Sequence, residues 1–138
     1  MRTQKIYALY NLIDWLNNKN PNINIIKQEL DNSSLTSNSW LAGIIESEAH
    51  FSVRASLNSR YMKLECKMEL CQRQNDHNGR NNLKFLEPIA DIFLTTIKSI
   101  RMDTKYLQYK LITTSLKGNI MVENYLNNFP LFWTKYLD

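Results

Sequence analysis

Cysteine is scarce in this chain, with Cys66 and Cys71 the only two. Five positions apart on an alternating strand, they point to opposite sides of a sheet, so a disulfide between them is not expected. No metal-ligand spacing surrounds them, and they read as the ordinary reduced thiols of an intracellular chain. Long apolar runs are missing too. None approaches the roughly 20 residues that cross a bilayer, so no membrane partner is expected. The opening Met1-Arg2-Thr3-Gln4-Lys5 is polar rather than a signal segment. Glycine and proline number only 3 each, while Asn, Ile, Lys and Tyr abound, a bias that fits an AT-rich coding genome.

What remains is ample for a folded domain. The 138 residues are 43% apolar, enough to bury a core and unlike a disordered composition. A net charge of +4 and a pI near 9.1 favour an anionic partner mildly, although a solvated basic surface would look the same.

Periodicity divides the chain into 1–38 and 39–138. In the first part Ile6, Leu9, Tyr10, Ile13 and Leu16 recur at helical spacing, up to an Asn-rich stop before Pro21. The Asn- and Ser-rich stretch that follows reads as a linker, with a short ordered piece around Ile23 to Leu30. In the second part Asn38 or Ser39 can cap a helix over Trp40 to Glu46. From residue 50 the period becomes two. Phe51, Val53, Ala55 and Leu57 alternate with His50, Ser52, Arg54, Ser56 and Asn58. Met62, Leu64, Cys66, Met68 and Leu70 alternate with Lys63, Glu65, Lys67, Glu69 and, beyond Cys71, Arg73. These predict two half-buried antiparallel strands. An amphipathic helix through Leu86, Ile89, Ala90, Phe93 and Ile97 follows, with Pro88 best accommodated in its first turn. Strands over 99–102 and 106–114 and a helix over 118–128 complete the pattern. The expected fold is α+β, helix-strand-strand-helix-strand-strand-helix, with one four-stranded antiparallel sheet carrying helices on one face.

Leu41-Ala42-Gly43-Ile44-Ile45-Glu46-Ser47-Glu48-Ala49 resembles the LAGLIDADG signature of intron-encoded homing endonucleases and RNA maturases. Trp40, Phe51, Gln72-Arg73-Gln74 and the stretch Asn124-Tyr125-Leu126 to Phe129-Pro130-Leu131 add to the resemblance, which spans residues 39 to 138. Residues 1–38 look like the tail of a preceding repeat and its connection. The resemblance implies that two motif helices pack side by side and that their terminal acids hold Mg²⁺ against the scissile phosphates. Hard carboxylate oxygens suit that ion. Glu48 then falls at the metal-ligand position, Glu46 at the first acidic position, and Lys117 where a basic group often lies near the metal. Ala42, Gly43 and Ser47 would let a second helix approach closely. The expected nucleic-acid contacts are His50, Ser52, Arg54, Ser56, Asn58, Lys63, Lys67, Arg73, Gln108 and Lys110, because Arg, Lys, Asn and Gln suit phosphates and base edges. Two departures stand out. Both motif acids are Glu, and Ala49 stands where the family prefers Gly.

The leading expectation is a homing-endonuclease-type protein for Mg²⁺-dependent cleavage of double-stranded DNA. The alternative is a catalytically inactive, RNA-binding descendant, either an intron maturase or a component of an organellar ribonucleoprotein such as the mitochondrial ribosome. Phosphate contacts serve either nucleic acid. A single motif helix calls for a second repeat, as a homodimer or a separate chain, or for a ribonucleoprotein assembly to cover its apolar face. A mitochondrial, organelle-encoded origin is the expected setting.

Overall fold

The computed structural model describes residues 6–56, 63–76, 79–103 and 105–132. The chain falls into two compact units, Met1–Ser34 and Leu35–Asp138. In the first, helix α1 (Ile6–Lys19) is followed by an irregular segment tied back to it. The Asn17 side chain accepts from the Ile25 N–H at 2.9 Å and donates to the Ile25 carbonyl at 3.1 Å, pairing with backbone much as a strand would. Lys27 donates to Asp14 at 2.7 Å, and the Tyr10 hydroxyl donates to the Gln28 carbonyl. Of the side chains expected inward on α1, Ile6 and Ile13 are buried and Leu9 is exposed.

The second unit contains α2 (Trp40–Glu48), β1 (Ala49–Ser56), β2 (Lys63–Arg73), α3 (Leu83–Ile92), β3 (Ile97–Ile100), β4 (Gln108–Thr113) and α4 (Leu116–Asn128). The strands form one antiparallel sheet in the order β1-β2-β4-β3, two hairpins side by side. Element order and sheet are those the α+β pattern predicts. Alternation sorts each strand onto two faces. Ala49, Met68, Leu70, Tyr109, Leu111 and Thr113 share one face and join a core with Leu41, Ala42 and Ile45 of α2, Leu86, Ile89 and Ala90 of α3, and Val122 and Tyr125 of α4. Burying that layer is the main stabilising term, since each fully buried aliphatic side chain contributes roughly 1.5–3 kcal/mol.

Helix α2 starts on side-chain caps. The Asn38 carboxamide oxygen accepts from the Trp40 N–H at 3.0 Å. The Tyr125 hydroxyl accepts from the Ala42 N–H at 3.0 Å and donates to the Asn38 carbonyl at 2.9 Å. Two of the N–H groups that a helix start leaves unmade are thereby satisfied. The helix runs to Glu48, two residues beyond the predicted end. Ala49 is at once its C-cap and the first residue of β1, with φ −85° and ψ 154°, so this junction needs no glycine.

Three expectations are corrected. The third helix was expected to run to Ile97, but α3 stops at Ile92 and Ile97 opens β3. Leu94 takes a left-handed φ of 49°, and the Thr95 N–H closes onto the Ala90 carbonyl at 3.0 Å. This is the termination that glycine usually provides, and no glycine marks it here. Pro88 lies inside α3 rather than in its first turn, because α3 starts earlier, at Leu83, where the Asn81 side chain accepts from the Leu83 N–H at 2.7 Å. The hairpin strands are covered for only part of their length: Val53 and Leu64 are 69% and 66% exposed, although they share the face of Met68. An 11-residue strand reaches about 36 Å, whereas the 13-residue α4 spans about 20 Å. The outer half of the ribbon therefore extends past the helices.

Two stability changes are expected. Tyr125→Phe leaves the Ala42 N–H without its acceptor inside the core and should lower the unfolding free energy by about 1–3 kcal/mol. Leu94→Gly relieves the left-handed strain at an exposed side chain and should raise it by about 1 kcal/mol. Urea unfolding followed by circular dichroism checks both.

Candidate nucleic-acid interface and acidic helix end

The sheet face away from the core gathers most of the predicted polar side chains. His50, Ser52, Arg54 and Ser56 alternate along β1, and the register sets them opposite Glu69, Lys67, Glu65 and Lys63. Arg73 and Gln108 pair directly across β2 and β4, and Lys110 sits opposite Cys71. Asn58 lies outside the described residues. Cations outnumber acids on this face, with Arg54, Lys63, Lys67, Arg73, Lys98 and Lys110 against Glu65 and Glu69.

Lys98, Ile100 and Ile112 belong to the same face and were not foreseen. Lys98 stands opposite Lys110, and Ile112 opposite Glu69. Lys98 was missed because the helix was carried through to Ile97, which pushed the predicted strand two residues downstream. Ile97 and Ile100 flanking two polar residues were the available signal.

Both acids on the face are paired. Lys110 Nζ lies 2.8 Å from Glu69 Oε2, with the two side chains only a quarter exposed. The weaker Lys67–Glu65 pair spans 3.8 Å. The hydrogen bond from Lys110 holds the Glu69 carboxyl below its ordinary value of 4.5 against the opposing effect of burial, with help from the charges of Lys110, Lys67 and His50. The same hydrogen bond raises Lys110 above its ordinary 10.5. Arg73 lies over the Tyr106 ring, 5.5 Å from its centroid.

The acidic helix end is built differently. Glu48 is the exposed last residue of α2, and one residue further on the chain is already strand. Its charge stands at the negative end of the helix dipole, an arrangement that costs some stability. Glu46 is half-buried, and its carboxylate accepts from the Phe132 N–H at 3.2 Å. Lys117 is exposed in the first turn of α4, and no hydrogen bond or ion pair among the described residues joins it to either glutamate. Among the described residues there is also no group of three or more acidic, His or Cys side chains able to hold a metal ion.

The small residues of α2 separate. Ala42 is 2% exposed and belongs to this chain's own core, so it does not face a second helix. Gly43 and Ser47, one turn apart, are exposed, and a Cβ built on Gly43 would meet nothing within 4 Å.

A family profile described as LAGLIDADG endonuclease matches residues 41–138. The chain is similar to the intron-encoded DNA endonuclease aI3 of Saccharomyces cerevisiae, at 28% identity, over all of this chain and 40% of that protein. It therefore spans well under half of that relative's length. Among solved structures, its fold is similar to that of the LAGLIDADG homing endonuclease I-GzeII in complex with its DNA target (TM-score 0.60, 17% identity, covering 91% of this chain and 40% of that one). The homing endonuclease I-LtrWI bound to target DNA gives a TM-score of 0.58 at 22% identity, over 90% and 40% of the two chains. The homing endonuclease I-TnaI gives 0.56 at 17% identity, over 71% and 63%.

The Glu69–Lys110 pair has a pH signature. A carboxyl held lower in the folded chain than in the unfolded one stabilises above the unfolded value and loses that contribution as pH falls through the folded one. Wild-type unfolding free energy should therefore drop more steeply below pH 4.5 than that of Glu69→Gln, for which part of the acid limb is absent. Urea titrations at successive pH values measure this, and parallel acid limbs would contradict it.

Proposed function

The chain belongs to the LAGLIDADG endonuclease family, and on that premise we propose that it serves as one repeat of a homing-endonuclease-type protein that grips double-stranded DNA on its polar sheet face and presents Glu48 to a scissile phosphodiester. The observation that carries this reading is the loopless junction of Glu48 with β1. It joins an exposed carboxylate to a strand whose next residues, His50, Ser52 and Arg54, begin the basic face.

The donor chemistry fits Mg²⁺, which takes oxygen ligands and is commonly bound through one or two carboxylates together with substrate phosphates. Glu48 would hold it, with Glu46 behind. When bound, the ion supplies charge stabilisation to the attacking and leaving oxygens. The protein's own part is to bind and orient the duplex: cations on the sheet draw in the phosphates, and α2 keeps its terminal carboxylate beside them. One carboxylate does not complete a site, so a second motif helix would pack on the Gly43 and Ser47 face, in a second copy or a separate chain. The setting that fits is an intron-encoded, mitochondrial one.

A second reading is an RNA-binding descendant without catalysis. It is favoured by the lone exposed carboxylate of Glu48, with Glu46 turned toward the Phe132 N–H.

The test uses duplexes recovered by this chain from a randomised DNA pool. With Mg²⁺, Glu48→Gln should lose cleavage to background while binding as tightly as wild type. Arg54→Ala should weaken binding and lower the salt slope by about 1. Preferential retention of structured RNA, indifferent to Glu48→Gln, would support the RNA reading instead.

A further inference from the structure

Two acids stand in the last turn of α2, where each opposes the helix dipole and no basic side chain offsets them. The proposed function gives Glu48 a reason to be there and leaves Glu46 without one. An α-helix turns about 100° per residue, so carboxylates two positions apart leave the axis on nearly opposite sides. Because α2 stays helical through Glu48, its two acids are turned apart rather than toward one ion.

Residues four apart share a side of a helix. Leu41 and Ile45 form the sheet side of α2 and are fully buried, while Gly43 and Ser47 form an exposed side. Ala42 and Glu46 make a third side, and both are bonded to α4 or to the segment that continues it. The Ala42 N–H donates to the Tyr125 hydroxyl at 3.0 Å, and the Glu46 carboxylate accepts from the Phe132 N–H at 3.2 Å. The continuing segment is itself anchored. The Phe129 and Tyr125 ring centroids lie 5.2 Å apart, and Leu131, the neighbour of Phe132, is buried in the core. Phe132 thus offers its N–H from a backbone that the core already fixes.

We infer that Glu46 is a positioning residue. By accepting the Phe132 N–H it splints the end of α2 to the segment after α4, and so holds the Glu48 carboxylate in place without itself binding the ion. The inference rests on the proposed function, within which it separates the roles of the two motif acids. A misplacement of about 1 Å at a reacting centre can cost about a hundredfold in rate, so a single hydrogen bond at the helix end bears on cleavage while leaving the sheet's grip on the duplex alone. Accepting an N–H needs only an oxygen, which a carboxamide also offers. Binding Mg²⁺ favours the carboxylate itself.

Glu46→Gln and Glu46→Ala, compared with wild type and Glu48→Gln, test this on a duplex recovered by the wild-type chain, with folding checked by circular dichroism. Glu46→Ala should lower kcat about tenfold or more with KM for the duplex unchanged, and should speed hydrogen exchange at the Phe132 amide. Glu46→Gln should recover most of both losses. Mn²⁺ bound to the protein–duplex complex, followed by electron paramagnetic resonance, should be retained in Glu46→Gln and lost in Glu48→Gln. A Glu46→Gln variant that cleaves as poorly as Glu46→Ala, or that loses Mn²⁺, would make Glu46 a ligand and overturn the assignment. Wild-type cleavage by Glu46→Ala would overturn it too, and in both cases the nuclease reading stands. A wild-type chain that neither cuts a duplex nor takes up Mn²⁺ would overturn the proposed function and this assignment with it.

Discussion

The buried hydroxyl of Tyr125 ties together stretches of chain more than 80 residues apart. It takes the Ala42 N–H and gives its proton to the Asn38 carbonyl, so α4 holds both the first turn of α2 and the approach to it. A helix of nine residues has little stability of its own. Its direction is set by what holds its start and by the apolar side it lays on the sheet, Leu41 and Ile45, both fully buried. With the start held and that side buried, the end at Glu48 has one place to go. The position of the acidic terminus therefore depends on a phenol in the last helix.

The sheet then carries two kinds of work on opposite surfaces, and the period of two keeps them apart. Every core residue of β2 has a polar neighbour on the reverse side, so the packing that anchors Met68 and Leu70 also fixes where Lys67, Glu69 and Cys71 project. Sliding β2 by one residue would drive charges into the core. The charge layout on the outer surface is thereby as rigidly specified as the interior, although no apolar contact holds it directly.

Much of this was legible in the sequence, for identifiable reasons. Alternation in 50–56 and 63–70 gave the faces of the first hairpin, and the nonapeptide 41–49 marked the helix, whose end lies two residues beyond the expected Glu46. The end of α3 was illegible because Leu94 occupies the left-handed position that glycine would have advertised. Its loss displaced β3 and hid Lys98. The bare outer ribbon was illegible too: alternation tells which side a residue takes, but the reach of the covering helices decides whether that side is buried. Ala42 and Gly43 look equivalent as small residues, and only helical angle separates them. Ala42 turns with Leu41 and Ile45 into the core, while Gly43 turns with Ser47 to the surface.

The direct passage from Glu48 into β1 has a mechanical meaning. A loop between a reactive group and a binding surface acts as slack and lets each settle separately. Here one alanine, buried and hydrogen-bonded back to Ile45, is the whole connection. Any twist of the exposed ribbon thus reaches the glutamate at its root with no loop between them to absorb it.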